Sequence, residues 1–509
     1  MEPTAGTTTS VWMATADTPV ENVLNRDMSV DVCVIGAGIA GLTTAYLLAR
    51  AGRSVVVLDD GPIGGGMTAR TTAHLSNALD DRFYELERLF GEAGSRLAAE
   101  SHTRAIDFIE GVVNDEGIAC EFERVDGFLF PQDDDSRQVL DDELPAAHRA
   151  GLVQVERLER APLEFFDTGP CLSFPRQGQF HPLKYLNGLV AAIERDGGKI
   201  FTSTHADEIK GGEDAHVMTT GGYKITPQSI VVATNSPVND LVAIHTKQAP
   251  YMTYVVGARV PRASIPSILL WDAPADLDQP YHYVRVARNG EDDVLIVGGE
   301  DHKTGQQHDG LARWDRLEQW ARTRFPMIEG IEFRWSGQVM ETFDGLAFIG
   351  RNPGDKDNVF IATGDSGMGM THGTIAGLLL SDLILGRENP WAELYDPSRK
   401  TAAAAKDYLK ENINVAAQYA DVLTAGEVES VDEIVRGAGA ILRNGLSKVA
   451  IYRDADGVIH SMSAVCRHLG CIVNWNAAEK TWDCPCHGSR YDALGTVVNG
   501  PANSDLPPE

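Results

Sequence analysis

The chain has 509 residues, enough for two to four domains with large buried cores. Acidic residues outnumber basic ones 73 to 44, for a formal net charge of −29. That balance argues against a nucleic-acid partner or an anionic membrane surface. No run of about 18 apolar residues occurs, so no transmembrane segment is expected. The N-terminus, MEPTAGTTTS, has neither the basic nor the apolar region of a signal peptide, and a cytoplasmic location is expected.

In chain order, residues 1–28 read as a polar leader and partly ordered arm. SVDVCVI (29–35) is a buried strand, GAGIAG (36–41) a glycine turn, LTTAYLLARAG a helix and SVVVLD a second strand ending at Asp59. This is one βαβ unit and predicts an α/β, Rossmann-like domain. Helical periodicity runs from about 80 to 115, and a second α/β stretch covers about 180–235. Strand signals dominate 250–345, where a mixed sheet over a substrate is expected. DNVFIATG (357–364) is again a buried strand, followed by a glycine-rich turn and an apolar helix. Residues 396–424 read as a linker helix. From 425 to 509 short strands alternate with Gly, Asp and Asn turns, predicting a small all-β domain.

Gly36, Gly38 and Gly41 give G-x-G-x-x-G between a strand and a helix, with Asp59 placed to accept from a ribose hydroxyl. Backbone N–H groups and the helix N-terminus favour a pyrophosphate there. The motif alone leaves FAD and NAD open. The segment Val32–Asp59, GPIGGGMTARTTAH after it and GDSGMGMTHGTIAG near residue 364 resemble the D-amino acid oxidase and glycine oxidase family of flavoproteins. The resemblance spans about 29–390, is strongest at its two ends, and implies FAD as cofactor and an oxidoreductase domain over 29–395. It places Arg70, Thr71 and Thr72 near the pyrophosphate or flavin. It makes Gly364, Asp365, Gly367, Met368, Gly369 and Thr371 a second cofactor loop. Some related flavoproteins attach FAD through a histidine; for His74 a non-covalent contact is the expectation adopted.

Cys33, Cys120 and Cys171 are scattered, and each is most simply a small buried hydrophobe, whereas four cysteines cluster between 466 and 486. Cys466-Arg467-His468 is followed, after fifteen residues, by Cys484-Pro485-Cys486-His487. Two thiolates and two imidazoles suit a Rieske [2Fe–2S] cluster, with Cys466 and Cys484 on one iron and His468 and His487 on the other. The same four side chains would equally serve a Cys₂His₂ zinc site. CRHLGC, CPCHGSRYD and NGPA (499–502) resemble the cluster loops and proline loop of the Rieske subunits of respiratory and photosynthetic complexes. That resemblance covers about 425–509 and favours the cluster over zinc. It implies a disulfide between Cys471 and Cys486, worth about 3 kcal/mol in the loop-entropy model. It also implies hydroxyl donors to sulfur at Ser489 and Tyr491, which would raise the potential. The resembled domains continue into a closing strand, so such a strand is expected from the N-terminal part of this domain, or the fold is trimmed.

The catalytic group is not legible. Candidates between the two motifs are Tyr251, Tyr254, Tyr281, His282, Tyr283 and Arg285. Strand alternation in QPYHYVRV puts Tyr281, Tyr283 and Arg285 on one face, where an Arg–Tyr surface would hold a substrate carboxylate. The expected function is an FAD-dependent dehydrogenase of a small amine or amino acid. Its electrons would pass from flavin through the Rieske cluster to an unidentified acceptor. Reversed flow, making a reductase, and a non-catalytic electron carrier are the alternatives.

Overall fold

A computed structural model of the chain describes residues 5–509 except 18, 20, 240–242, 277–278 and 446. The apolar run Met28–Ile35 forms the middle of an 8-stranded sheet, pairing in parallel with Val55–Leu58 on one side and Lys224–Val232 on the other. Val359–Thr363 and Lys199–Phe201 extend the parallel core. All four residues of Val55–Leu58 are buried: Val55 and Val57 pack with the helices, Val56 and Leu58 with strand and loop residues such as Phe201, Ala206 and Val217. Helix Ile39–Arg50 covers this sheet and meets helix Gly369–Ile384, with Thr43 against Gly377.

The second sheet has nine strands and extends beyond the 250–345 block: Glu123–Pro131 and Cys171–Gln179 belong to it. Its long antiparallel ribbon pairs Gln248–Val260 with both Asp292–Lys303 and Gly330–Thr342. The helical stretch after residue 80 is one element, Phe83–Glu116, bent at Gly91.

The N-terminal arm differs from the polar, partly ordered leader expected. Its residues 1–4 lie outside the described part, but Val11–Thr15 is a short helix whose Val11, Trp12 and Met13 are buried. Trp12 donates from Nε1 to the Thr71 carbonyl and Ser10 Oγ donates to the Ala69 carbonyl. Three apolar residues in a polar segment suffice to anchor it, a signal too short to read as periodicity.

Beyond helix Ala405–Gln418 the C-terminal region carries two small antiparallel sheets. The first joins Ala438–Asn444, Ser447–Arg453 and Ile459–Ser463; the second joins Asn474–Asn476, Thr481–Asp483, Arg490–Tyr491 and Val497–Asn499. Its edges close on both ends of the region: Val428 bridges Leu442, and Pro508 bridges Met462.

This region is clamped to the rest of the chain by a buried ion pair. Arg70 Nη1 lies 3.0 Å from Glu479 Oε1, and both side chains have no exposed surface. Burial pushes the Arg70 guanidinium down from its usual range, while Arg70 and Arg490 overcome burial to hold Glu479 below the usual carboxylate range. Removing one partner of such a pair strands the other charge and is destabilising by about 3–5 kcal/mol. Glu479→Gln is therefore expected to loosen the docking by that order, read as faster hydrogen exchange at 476–484 and faster protease cutting within Ala405–Gln418. Removing both charges, in Arg70→Met with Glu479→Leu, should restore most of the protection. Unchanged exchange in Glu479→Gln would show that other contacts hold the two parts together.

Candidate functional site

The glycine turn is built as close packing requires. Gly36 adopts φ +105°, and a Cβ added at Gly41 would sit 1.9 Å from the Gly36 carbonyl oxygen. Gly38 caps helix Ile39–Arg50 without a side-chain partner, so the helix N-terminus opens on a cavity of about 1240 Å³. Asp59 borders the same cavity. Its Oδ2 accepts from Ala37 N at 2.6 Å and its Oδ1 from Gly61 N at 2.8 Å, bracing the turn. Burial, then Asp60, raises Asp59 to about 7. Each carboxylate oxygen retains lone-pair capacity for a ribose hydroxyl.

Arg70, Thr71, Thr72, Gly364, Asp365, Gly367, Met368 and Gly369 border this cavity. Arg70, however, gives its guanidinium to Glu479, Thr8 and the Ser336 carbonyl. Thr371 turns away from the cavity and pairs with His102 Nδ1 at 2.8 Å; His372 borders it instead. His74 borders it with both ring nitrogens engaged, by Thr72 Oγ1 and the Val284 carbonyl, and burial lowers its pKa to about 3.

The alternation read from QPYHYVRV holds, but its three residues do not share one site. Tyr281 and Tyr283 border the cavity, with rings 5.6 Å apart. His282 faces the other way, to Asp272 and a stacked Trp320. Arg285 lies two residues further along the strand, about 7 Å past Tyr283. There its Nη1 donates to the carbonyls of Thr72, Ala73 and Phe180, and its guanidinium covers Trp12. Burial brings it down to about 9.

In the C-terminal region, Cys466 and Cys484 are buried side by side and share a hydrogen bond; that bond is the main reason Cys466 is lowered to about 6, while Cys484 is pushed up. The rings of His468 and His487 lie 5.0 Å apart and near-perpendicular. Cys471 and Cys486 are joined by a disulfide, and the Cys484 sulfur lies within 4.8 Å of both its sulfurs. Tyr491 OH lies 3.3 Å from Cys466 Sγ and accepts from Arg467 N. Ser489 Oγ accepts from Ala502 N, tying in the 499–502 loop. Two thiols and two imidazoles are the donor set that a mixed-ligand diiron cluster takes.

The sequence reading missed what joins the two sites. His245, from the first region, packs its ring 4.9 Å from His468 and 6.1 Å from His487. Gln338, on the cavity wall, donates from Nε2 to the Gly488 carbonyl at 2.9 Å and accepts at Oε1 from Asn499 Nδ2 at 2.5 Å. A Cβ at Gly488, whose φ is +83°, would lie 2.5 Å from Pro250. The cavity also carries Asp80, Asp301 and Glu341, each from a stretch without a motif.

The fold and the two sites define a flavoprotein oxidoreductase carrying an iron–sulfur domain. The chain belongs to the FAD dependent oxidoreductase family, whose model matches residues 31–383, and a Rieske [2Fe-2S] domain matches 424–508. FAD and a [2Fe–2S] cluster are its cofactors. It is 34% identical over 500 residues to the Rieske 2Fe-2S iron-sulfur protein YhfW of Bacillus subtilis (strain 168), covering 97% of this chain and 96% of that one. Gamma-glutamylputrescine oxidoreductase of Escherichia coli (strain K12) is 27% identical over 72% of this chain and 86% of its own length. The crystal structure of glycine oxidase from Geobacillus kaustophilus superposes with TM-score 0.60 at 18% identity, covering 73% of this chain and 99% of that one. Among the described residues no helix is long and apolar enough to cross a membrane.

Tyr491→Phe removes one hydroxyl and keeps the ring. A hydrogen bond to a charged acceptor is worth about 1.5–3 kcal/mol, and only its change between oxidation states moves the potential. With 59 mV equal to about 1.4 kcal/mol for one electron, a fall of several tens of millivolts is expected by voltammetry, at full iron content. An unchanged potential would mean that the hydroxyl bonds only Arg467 N.

Proposed function

We propose that this chain dehydrogenates a small amine or amino acid and passes the electrons from its flavin domain through its Rieske domain to an external acceptor. One observation carries this reading: both candidate imidazole ligands face the flavin domain, packed around His245, while Gln338 links the cavity wall to the carbonyl beside His487. In this assignment Cys466 and Cys484 hold one iron and His468 and His487 the other. Residues of the two glycine loops, with Asp59, hold the dinucleotide. Bound FAD would supply hydride acceptance from the carbon bearing nitrogen, and the cluster would supply one-electron transfer. The chain's residues orient the substrate: Tyr281 and Tyr283 form an aromatic wall of the cavity. An oxidase that hands its electrons to O₂ has no use for a one-electron carrier fixed against it. The Escherichia coli relative named for gamma-glutamylputrescine makes amines the first class to test.

Anaerobic mixing with a true substrate should bleach the flavin and reduce the cluster in the same turnover. Flavin that bleaches while the cluster stays oxidised over many turnovers would end the relay reading. His245→Leu removes the ring between the two parts and touches neither the cavity lining nor the cysteines. It is expected to slow cluster reduction by about tenfold, equivalent to about 1.4 kcal/mol of barrier, with flavin bleaching by substrate unchanged. Equal rates in the variant would remove His245 from the route.

A further inference from the structure

Part of the cavity's lining is acidic and aromatic. Asp80, Asp301, Glu341 and Asp365 border the cavity with Tyr281, Tyr283 and Trp271. Tyr281 OH donates to Asp80 Oδ2 at 2.7 Å. Asp301 Oδ1 is buried without a hydrogen-bond partner. None of these four carboxylates makes an ion pair among the described residues. Arg70 borders the cavity but is paired with Glu479, and Arg285, which could have met a carboxylate, is held by backbone carbonyls outside the lining.

Four half-buried carboxyls on one cavity lining repel one another when ionised, and Arg82 at Asp80 and Arg313 at Asp301 offset only part of that charge. The effect is visible on each group. Burial, and then the charges of Asp81, Asp365, Asp80 and Asp301, push Glu341 well above its usual range. Burial raises Asp301 to about 7 and Asp365 to about 6. A ligand bearing positive charge relieves that repulsion, and the faces of Tyr281, Tyr283 and Trp271 favour the same charge through cation–π attraction. A substrate carboxylate would meet only like charge on this wall.

Resting on the dehydrogenase reading above, we propose that the substrate is a cationic amine without a carboxylate beside the reacting carbon, and that it carries a second positive group, as an α,ω-diamine or polyamine does. Asp301 and Glu341 hold the distal ammonium, Asp80 supports them, and the aromatic rings cover the methylene chain. Carboxyls at several positions of the lining give a second ammonium its own partner, which is why a dication fits better than a monoamine.

The test uses the FAD-loaded full chain. Anaerobic flavin bleaching is measured with α,ω-diamines, alkyl monoamines of the same lengths, and α-amino acids. Binding is measured separately, by calorimetry with an α,ω-bis(trimethylammonium) alkane and its monocationic counterpart. The dication is expected to bind at least about tenfold tighter than the monocation, and Glu341→Gln and Asp301→Asn should each erase about tenfold of that preference at unchanged FAD content. Equal affinity for the two cations, or faster bleaching by amino acids than by diamines, overturns the substrate class and leaves the dehydrogenase reading standing. Tight dication binding with no bleaching by any compound supports the cationic site and ends the dehydrogenase reading instead. The comparison of ligands on the unmodified chain holds even if a variant fails to fold.

Discussion

A single buried carboxylate organises this molecule. Glu479 receives Arg70 Nη1, Thr8 N and Oγ1, and Ser336 N and Oγ, all within 3.1 Å. Those donors come from the N-terminal arm, the segment after the dinucleotide turn and the substrate-side sheet, while Glu479 itself belongs to the Rieske domain. A charge with no exposure is tolerated only when its lone pairs are occupied, and here five donors occupy them. Such a pair adds little net stability over apolar packing, but it penalises any arrangement in which one of the three segments is out of place. Arg490 repeats the device on a smaller scale, binding Asp483, Thr481 and the Ala5 carbonyl in full burial.

The clamp has a consequence for electron flow. With the Rieske domain held by Glu479, by Gln338 and by contacts such as Asn474 to the Gly305 carbonyl, the imidazole side of its cysteine–histidine site is pressed on its own flavin domain. Docking of the two redox partners is then a property of folding. It requires no encounter, and the translational and rotational freedom lost in forming a separate complex is already accounted for in the native state.

What was legible in the sequence was whatever is local. The glycine turn, its helix and strand, and the four cysteine and histidine candidates all lie within short windows where spacing carries chemistry. Fold class followed from the βαβ pattern and from the turn-rich C-terminal region. The acidic wall and the clamp were not legible, because Asp80, Asp301, Glu341 and Glu479 come from four separate stretches, and the motif around Arg70 gave no sign that its partner is Glu479. Arg285 shows the opposite difficulty. Period-2 alternation gave its face correctly, yet a face extends the length of a strand, and about 7 Å along it the environment changes from cavity to buried carbonyls. The N-terminal arm escaped notice because a triplet such as Val11–Trp12–Met13 has no period; its burial depends on a groove made by residues 69–71 and 181.

One strand carries both halves of the functional argument. Along Gly330–Thr342, Gly337, Gln338, Val339 and Glu341 border the cavity, and Ser336 and Gln338 bind the Rieske domain. The strand thus brings cavity lining and Rieske contacts together within residues 336–341, and at Gln338 within one side chain. A slip of one residue would turn Ser336 and Gln338 away from the Rieske contacts they make. The register is secured by an uninterrupted ladder to Gln248–Val260, from Gln248 opposite Thr342 to Gly257 opposite Phe333, with the only irregularity beyond it at Gly257/Ala258. Backbone pairing sets the register here, so the strand's side chains are free to be chosen for charge and contact.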